Sequence, residues 1–402
     1  MTQSQTQLQK HSVEDTLKDP VAVAASIARM LADSAVERDR KAGLPTKEVQ
    51  YLKTAGLLPL VVPRQYGGLG ATWGEAFKVV QTLSAAEGSI GQLYANQLIL
   101  SVVSQTAGTP EQAERYYRAT AEHHLFWGNA FNTRDTRLKI APEGQHYRVN
   151  GIKTFGTGVA VADLRVFSAV QEGIDYPIVF ILPREREGII YNDDWDNMGQ
   201  RRTASGSFTF QNVLVSADEV LGPLPYPESG FATVLFVVNQ LAKTHVYLGI
   251  AEGAFEAAKN YTRTQTRPWI TSGVDRATQD PYILHHYGEL WVQLQAAIGL
   301  AEKAAQRVQA AWEQEWMLTP QERGEVAISV YAAKAMATKV GLDITNRMFE
   351  MMGARSTAAK YGFDRYWRDL RTFTLHDPID YKLQNVGNWV LNQELPAFNQ
   401  YS

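Results

Sequence analysis

The chain has 402 residues and contains no cysteine, so it forms no disulfide and carries neither a thiolate nucleophile nor a sulfur-ligated metal. It has no run of about 18 apolar residues, from which we expect no membrane span. The formal net charge of −3 gives no reason to expect nucleic acid or an anionic membrane as a partner. No glycine-rich phosphate loop follows a predicted strand, which argues against a nicotinamide site within this chain. These absences are compatible with a cytoplasmic protein, which is our expectation.

What is present is the composition of an ordinary globular protein, with 45% hydrophobic and 20% charged residues. The chain is long for a single hydrophobic core, so two or three subdomains are expected. Residues 1–19 are predicted to form a flexible tail, because the first ten are rich in Gln, Ser and Thr and have no apolar segment that would indicate a signal peptide.

The spacing of apolar residues divides the rest of the chain into three regions. Residues 20–124 show helical periodicity, and a helix is predicted to begin after Asp19 with Pro20 in its first turn. Residues 125–225 change to alternating, β-branched runs, which indicate a central β domain. Residues 226–402 return to long helical patterns, which indicate a bundle. The predicted fold class is therefore α+β.

Within these regions the pattern predicts individual elements. Asn150-Gly151, between two alternating runs, predicts a hairpin turn. The predicted strand runs are 146–155, 164–170, 176–182 and 207–215. The longest predicted helices are 233–266, 281–315 and 320–352.

The most informative segment is 368–378, with the sequence Arg-Asp-Leu-Arg-Thr-Phe-Thr-Leu-His-Asp-Pro. It resembles the acyl-CoA dehydrogenase segment in which a glutamate removes the substrate α-proton and a glycine lets the chain pass close to the flavin. Here Asp377 stands at the glutamate position, His376 precedes it, and Pro378 removes a backbone donor and stiffens the chain. A histidine at this point suggests proton handling near neutral pH.

Other segments extend this resemblance over essentially the whole chain after residue 20. Residues 63–68 resemble the Pro-x-x-Tyr-Gly-Gly loop of the superfamily, and Tyr261, Arg263 and Gln265 resemble its Tyr-x-x-x-Arg-x-Gln element with one residue fewer. The similarity is closer to one branch, the reduced-flavin-dependent monooxygenases typified by dibenzothiophene monooxygenase. The segments shared with that branch are 35–40, 192–195, 246–251, 261–265, 267–269, 361–365 and 375–378. The resemblance implies an acyl-CoA dehydrogenase-like fold: an N-terminal helical domain, a central β-barrel or sandwich, and a C-terminal bundle of long helices.

The branch resemblance implies an oxidoreductase of a two-component system. FMN would arrive as FMNH2 from a separate NAD(P)H-dependent flavin reductase, and dioxygen would react with it to form a flavin C4a-hydroperoxide that oxygenates sulfur. The implied assembly is a homotetramer in which one subunit reaches the flavin of its neighbour. The expected substrate is a small organosulfur compound, an alkanesulfinate or a sulfide or sulfone. An aromatic thioether of the dibenzothiophene type is an alternative, and so is an acyl-CoA dehydrogenase or nitroalkane-oxidase-like reaction with Asp377 as the base. A catalytically inactive helical scaffold is disfavoured, because the flavin-edge and phosphate elements occur together.

The resemblance also implies roles for individual residues. His376, Asn129 and Thr157 are the expected catalytic residues, holding the reactive oxygen near the flavin. Without this context a histidine or a strand-end Thr more often has an ordinary structural role, and a loop Asn has one as often as not. The expected flavin contacts are Phe155, Thr157, Trp195, Ser205, Arg263, Arg267 and Arg355.

The cofactor's phosphate end is predicted from charge. Thr266 and Arg267 replace the Phe-Gly pair of the dehydrogenases, and Arg355 lies in the segment that replaces their Gly-Gly loop. Two guanidinium groups in place of small residues favour the terminal phosphate of FMN over the adenosine of FAD. The alternative is that these arginines form surface ion pairs.

The expected substrate pocket departs from that of dibenzothiophene monooxygenase. It is expected to include Gln92, Asn96, Trp127, Gly156 and Phe373. Amides in place of a histidine and a tyrosine predict a narrower, more polar site. For an anionic sulfinate, Arg134, Arg201 or Arg202 would supply the cation. No metal site is expected, since neither pair of adjacent histidines has ligand spacing or partner acids.

Overall fold

The computed structural model describes residues 16, 18–223, 229–399 and 401. The predicted tail falls almost entirely outside these residues, as does the predicted boundary at 225/226. The fold class is confirmed: helices come first, two β-sheets follow, and long helices complete the chain.

The helices begin and end where local sequence signals indicate. The first runs from Pro20 to Ala32, and the Asp19 side chain caps it by accepting from the backbone N–H of Ala22 at 2.9 Å. Four further helix starts have Ser or Thr hydroxyls as caps, two of them with proline in the first turn. In chain order the helices are α1 Pro20–Ala32, α2 Ala35–Lys41, α3 Thr46–Thr54, α4 Trp73–Ala86, α5 Gly88–Leu100, α6 Val103–Ala107, α7 Pro110–His123, α8 Gly230–Thr264, α9 Pro281–Gln314, α10 Pro320–Met352, α11 Asp364–Thr374 and α12 Ile379–Asn392.

Within the described residues, eight strands form two four-stranded sheets. They are β1 Trp127–Ala130, β2 Lys139–Glu143, β3 His146–Lys153, β4 Leu164–Ala169, β5 Ile178–Pro183, β6 Ile189–Tyr191, β7 Phe208–Ser216 and β8 Val220–Pro223. One sheet has the order β1-β4-β5-β8 and the other β2-β3-β7-β6; only the β1–β4 pair is parallel. Apolar residues of both sheets, such as Phe167, Phe180 and Phe210, share one buried core. The β domain is therefore a sandwich.

The hairpin predicted at Asn150-Gly151 is wrong. Both residues lie inside β3, where Gly151 has φ +125° at a bulge and a Cβ on it would stand 2.2 Å from the carbonyl oxygen of Arg137. The turn that joins β2 to β3 passes through Gly144, with φ +62°. The Asn-Gly pair is needed here for a close backbone approach and a bulge, which in sequence look the same as a two-residue turn.

Helix α8 lies at the centre of the helical core and is surrounded by other elements on most sides. It packs against α10, α4, α5 and α9, and its apolar residues are buried over most of its length. In the described part of the chain it is the one helix long and apolar enough to cross a membrane by composition, but 89% of its most apolar 18-residue window is buried inside the fold. Its apolarity is that of a core helix.

Candidate active site

The ends of several elements meet where the β sandwich faces α5 and α8. The backbone N–H of Asn129, on β1, donates to the carbonyl of Thr157 at 3.1 Å. The hydroxyl of Thr157 lies 2.9 Å from that of Ser205, which in turn donates to the hydroxyl of Thr203 at 2.8 Å. Thr157 and Ser205 are both buried. Three residues that the sequence assigned to the flavin or to its reacting oxygen are thus brought together.

Three amide residues stand beside this edge, Gln92 and Asn96 on α5 and Asn129 on β1, and we call them the amide row. Gln92 and Asn96 are one helical turn apart and therefore on one face. Asn96 Nδ2 donates to Asn129 Oδ1 at 3.1 Å, so the Asn129 side chain is held toward α5. Gln92 Oε1 is buried and has no hydrogen-bond partner within the described residues. Neutral amides give this side of the site donors and acceptors that do not titrate.

The aromatic side of the site is formed by Phe155 and Trp195, whose rings meet edge to face with centroids 6.2 Å apart. Phe155 has φ +56° and is 57% exposed, an unusual combination for a large aromatic residue. The indole N–H of Trp195 donates to the carbonyl of Gln200 at 3.0 Å. A Cβ on Gly156 would lie 2.3 Å from Phe208. Close packing against β7 therefore accounts for this glycine.

Helix α11, which carries His376 just beyond its end, is joined to the loop that holds Trp195 and Ser205. The backbone N–H of Gln200 donates to Asp369 Oδ1 at 2.6 Å, and burial raises the pKa of that carboxyl group to about 7. Arg368 forms an ion pair with Asp39 and donates to the carbonyl of Met198 at 2.7 Å. These contacts set where the chain leaves α11, and so they position the next residues.

His376 and Asp377 lie over a buried lysine cluster, by which we mean Lys243, Lys334 and Lys382. Asp377 Oδ1 accepts from Lys334 Nζ at 2.5 Å and lies 3.1 Å from His376 Nδ1, while its Oδ2 is 3.6 Å from Lys382 Nζ. Burial would raise the pKa of Asp377, but the contacts with His376 and Lys334 outweigh it and hold the pKa well below its usual range. The carboxylate is ionised; its Oδ1 is hydrogen-bonded, while its Oδ2 has no hydrogen-bond partner within the described residues.

The imidazole of His376 remains neutral near pH 7. Removal of water from around it, and then the positive charge of Lys243, lower its pKa to about 4. Nevertheless 36% of the side chain faces open space. Its ring meets those of Phe373 and Tyr401 edge to face, with centroids 6.3 and 5.7 Å apart. A neutral imidazole with an accessible edge can donate or accept a hydrogen bond.

Lys243 was not singled out from the sequence. It lies on α8, is only 3% exposed, and burial followed by repulsion from Lys334 lowers its pKa to about 7. One signal was available: it is the only Lys, Arg, Asp or Glu in residues 229–251, an otherwise apolar helical run. A charge in such a run is either paired inside the fold or functional.

A cavity of about 70 Å³ lies beside Asn129, between α5, α6, α8 and the sheet of β1, β4 and β5. Thr106, Asn129 and Asn239 supply its polar groups, and nine of its twelve lining residues are apolar. Trp127 belongs to the core behind this cavity: it is fully buried, and its indole N–H donates to Thr120 Oγ1 at 3.0 Å. Phe373, also buried, packs on Tyr247 beside His376.

The predicted phosphate residues form an arginine patch at the far end of α8, by which we mean Arg263, Arg267 and Arg355. All three are exposed, and Arg355 Nη2 donates to the carbonyl of Gln265 at 2.5 Å, which ties the two predicted segments together. Twenty residues of helix separate Arg263 from Lys243, roughly 30 Å at 1.5 Å per residue. Within one protomer the arginine patch is therefore far from His376.

The arginines expected to neutralise an anionic substrate have other partners. Arg201 Nε donates to the carbonyl of Asp39 at 2.8 Å, and Arg202 Nη2 donates to Glu48 at 2.8 Å. Arg134 lies near Tyr401, whose pKa its charge lowers against the larger opposing effect of burial. No cluster of three or more His, Asp or Glu suited to a metal occurs among the described residues.

Comparison with known proteins gives two family-model matches. Residues 20–124 match the N-terminal domain of acyl-CoA dehydrogenase, and residues 241–381 match its C-terminal domain.

Three similar proteins illustrate the group to which these matches lead. A dibenzothiophene monooxygenase from Mycolicibacterium goodii is 44% identical, over 94% of this chain and 95% of its own. A probable FMNH2-dependent monooxygenase, SfnC, from Pseudomonas putida is 41% identical, over 95% of this chain and 97% of its own. The solved structure of methanesulfinate monooxygenase MsuC from Pseudomonas fluorescens is 41% identical, covers 96% of this chain and 100% of its own, and superposes with a TM-score of 0.93.

Proposed function

The chain belongs to the acyl-CoA dehydrogenase family, and from the site that it builds on that fold we propose that it is an FMNH2-dependent monooxygenase of a small organosulfur compound. Bound reduced FMN would react with dioxygen and deliver one oxygen atom to sulfur. The other oxygen leaves as water. Alkanesulfinates, sulfides and sulfones are the preferred substrate classes.

The state of Asp377 carries this proposal. A dehydrogenase of this family needs an accessible carboxylate to remove an α-proton, whereas Asp377 is 5% exposed and its Oδ1 contacts Lys334 and His376. Its Oδ2 has no hydrogen-bond partner within the described residues and lies 3.6 Å from Lys382 Nζ. Its depressed pKa makes it a poor base. The group that faces open space is instead the neutral His376. This arrangement disfavours both alternatives in which Asp377 acts as the base.

The residues present fit a flavin cofactor whose tail ends in a phosphate group. Phe155 offers an exposed aromatic surface beside the hydroxyls of Thr157 and Ser205. We assign His376, Asn129 and Thr157 to holding the reacting oxygen by hydrogen bonds, with Trp195 closing the site against water. Excluding water matters, because reduced flavin and dioxygen otherwise yield hydrogen peroxide. Gln92 and Asn96 then orient the substrate.

The arginine patch would hold the phosphate of FMN on a neighbouring subunit. Roughly 30 Å of helix lies between Arg263 and Lys243, whose charge acts on His376, and this is more than an FMN spans. Next to the patch, Trp269 is 72% exposed and Ile270 is 89% exposed, which supports burial of this segment against another copy. We therefore propose a homotetramer with shared sites, as a dimer of dimers.

The flavin would be supplied by a separate NAD(P)H-dependent reductase. Dependence on such a reductase implies the cytoplasm, where reduced nicotinamides are made. A fused tricyclic thioether is too large for a cavity of about 70 Å³ and too apolar for the amide row. A small polar substrate fits the cavity and can bond to the amides.

One assay tests the proposed function. Purified protein is mixed with FMNH2 under argon and then exposed to oxygen, in the presence of methanesulfinate, dimethyl sulfone or dibenzothiophene, and products are quantified by chromatography. We expect an oxygenated product from a small organosulfur compound, formed only when reduced flavin is given. Bleaching of protein-bound flavin by butyryl-CoA, with no sulfur product, would overturn the proposal in favour of a dehydrogenase.

A further inference from the structure

The ammonium of Lys243 differs from its neighbours in the buried lysine cluster. Lys334 donates to Asp377 and to Gln240, and Lys382 donates to the carbonyl of Tyr401 and faces Asp377. Lys243 is as buried as they are but makes no hydrogen bond within the described residues. A buried ammonium without a hydrogen bond is costly, so the fold retains it at the expense of stability.

Its position connects the cavity with the catalytic histidine. On α8, Lys243 follows Asn239 by one turn and Phe236 by two, and both of these line the cavity. On its other side the charge of Lys243 acts on the imidazole of His376. Lys243 therefore follows two cavity-lining residues on the same face of α8 and is close enough to His376 for its charge to act there.

The charges around Lys243 are unbalanced. The titratable groups that act on it or share its surroundings are Lys334 on α10, Lys382 on α12, and His376 and Asp377 between α11 and α12. His376 is neutral, and the single carboxylate is already bound by Lys334, Lys382 and His376. Three lysines therefore surround a single carboxylate, and Lys243 is the one that makes no ion pair with it within the described residues.

We propose that Lys243 binds the oxygen atoms of an anionic sulfur substrate, a short-chain alkanesulfinate, and thereby selects it over neutral thioethers. This inference rests on the proposed monooxygenase function. The cavity of about 70 Å³ has room for roughly two water molecules, which suits a short alkyl group and not a tricyclic ring system.

The charge stays constant through the reaction. Sulfinate, dioxygen and FMNH2 give sulfonate, FMN and water: sulfur loses two electrons and gains one oxygen, the flavin loses two electrons, and dioxygen accepts four. Substrate and product are both monoanions, so Lys243 keeps its partner throughout. Two oxygens held by the ammonium leave the sulfur lone pair free for the incoming oxygen.

The test compares Lys243→Met, a neutral side chain of similar length, with Lys303→Met at an exposed lysine of α9. The full-length enzyme is used with FMN and a flavin reductase. Losing a charged hydrogen bond should raise the KM for methanesulfinate by about 10- to 100-fold in Lys243→Met. The KM for dimethyl sulfide, which carries no charge, should change far less, and Lys303→Met should leave both KM values unchanged. In the parent, kcat/KM for methanesulfinate should fall as the pH rises above about 7, because Lys243 loses its charge there, and this decline should be absent in the variant.

A second measurement is independent of turnover. Methanesulfinate or methanesulfonate should raise the melting temperature of the parent and of Lys303→Met but not of Lys243→Met, whose own melting temperature without ligand should exceed that of the parent. Equal protection of Lys243→Met by methanesulfinate would overturn the inference. A loss of FMNH2 affinity with an unchanged sulfinate KM would assign Lys243 to the flavin instead. If the parent binds methanesulfinate yet oxidises no sulfur compound, the proposed function fails while the anion site stands.

Discussion

Two groups of cations in this molecule stand in opposite surroundings. The buried lysine cluster surrounds one carboxylate inside the fold, and burial lowers the pKa of Lys243 to about 7 and that of Lys382 to about 8. The arginine patch lies on the surface at the other end of α8, with all three guanidinium groups exposed. Both groups are expected to bind anionic ligands, but their affinities should respond to different solution conditions.

The comparison shows how environment decides what a charge is worth. Inside the fold, water screens charges little. Removing one partner of an ion pair therefore lowers the free energy of unfolding, and so does a change in the protonation of either partner. On the surface, salt and solvent screen each guanidinium, so the arginine patch adds little to folding but is free to meet a phosphate. We therefore expect the lysine cluster to respond to pH and the arginine patch to ionic strength.

The largest expected effect concerns His376, at the edge of the lysine cluster. His376→Ala should still bind FMNH2, because the phosphate is held elsewhere, but should form roughly 100- to 10,000-fold less oxygenated product and release more hydrogen peroxide per turnover. Product chromatography, a peroxide assay and an anaerobic flavin titration measure the three quantities. His123→Ala, at an exposed histidine, is the matched control. Full coupling of oxygen use to product in His376→Ala would remove His376 from the reaction.

A second prediction compares a buried carboxylate with an exposed one. Asp377→Asn leaves Lys334 inside the fold without its anion and should lower the free energy of unfolding by about 3–5 kcal/mol at pH 7. Asp218→Asn, which breaks an exposed pair with Arg115, should cost less than about 1 kcal/mol. Denaturant unfolding monitored by circular dichroism gives both values.

The same variant has a defined pH dependence. The folded pKa of Asp377 is depressed, so its contribution is present above the unfolded value of about 3.9 and is lost as the pH falls below it. The difference between parent and Asp377→Asn should therefore shrink below about pH 4. A constant difference down to pH 3 would show that Asp377 stabilises the fold by packing and not by charge.

The smallest expected effect is at the arginine patch. Arg355→Ala should weaken FMNH2 binding by about 1.5–3 kcal/mol, and the loss should diminish at high salt. Anaerobic fluorescence titration measures it, with Arg118→Ala, in an exposed helix pair, as the control. An unchanged affinity, or a preference of the parent for FADH2, would contradict the phosphate assignment.

Mixed tetramers sharpen this last comparison. Co-expressed Arg355→Ala and His376→Ala subunits should recover part of the activity that each variant lacks alone, because a site that takes His376 from one subunit and Arg355 from its neighbour finds both intact in some assemblies. Activity no higher than the sum of the two homotetramers would mean that each subunit completes its own site.

Much of the fold could be predicted from the sequence, because its signals are local. Asp19 and Pro20 mark the first helix, which begins as predicted, and the helix predicted over residues 320–352 has those bounds. The exception, Asn150-Gly151, shows the limit of such signals. A glycine suited to a turn is equally suited to a bulge, and the choice was made by Arg137, which approaches it from a neighbouring segment.

For the site, the sequence by itself determined which chemistry-bearing residues stand in recognisable segments: His376, Asp377, Asn129 and Thr157, and the arginines of the patch. It did not determine that Asp377 is locked between two lysines, that Trp127 is buried behind the cavity, or that Lys243 has a charge without a partner. These depend on α8, α10 and α12 packing together, which sets burial, distance and local charge at once. Ionisation and access follow from those three quantities, and only the tertiary structure fixes them.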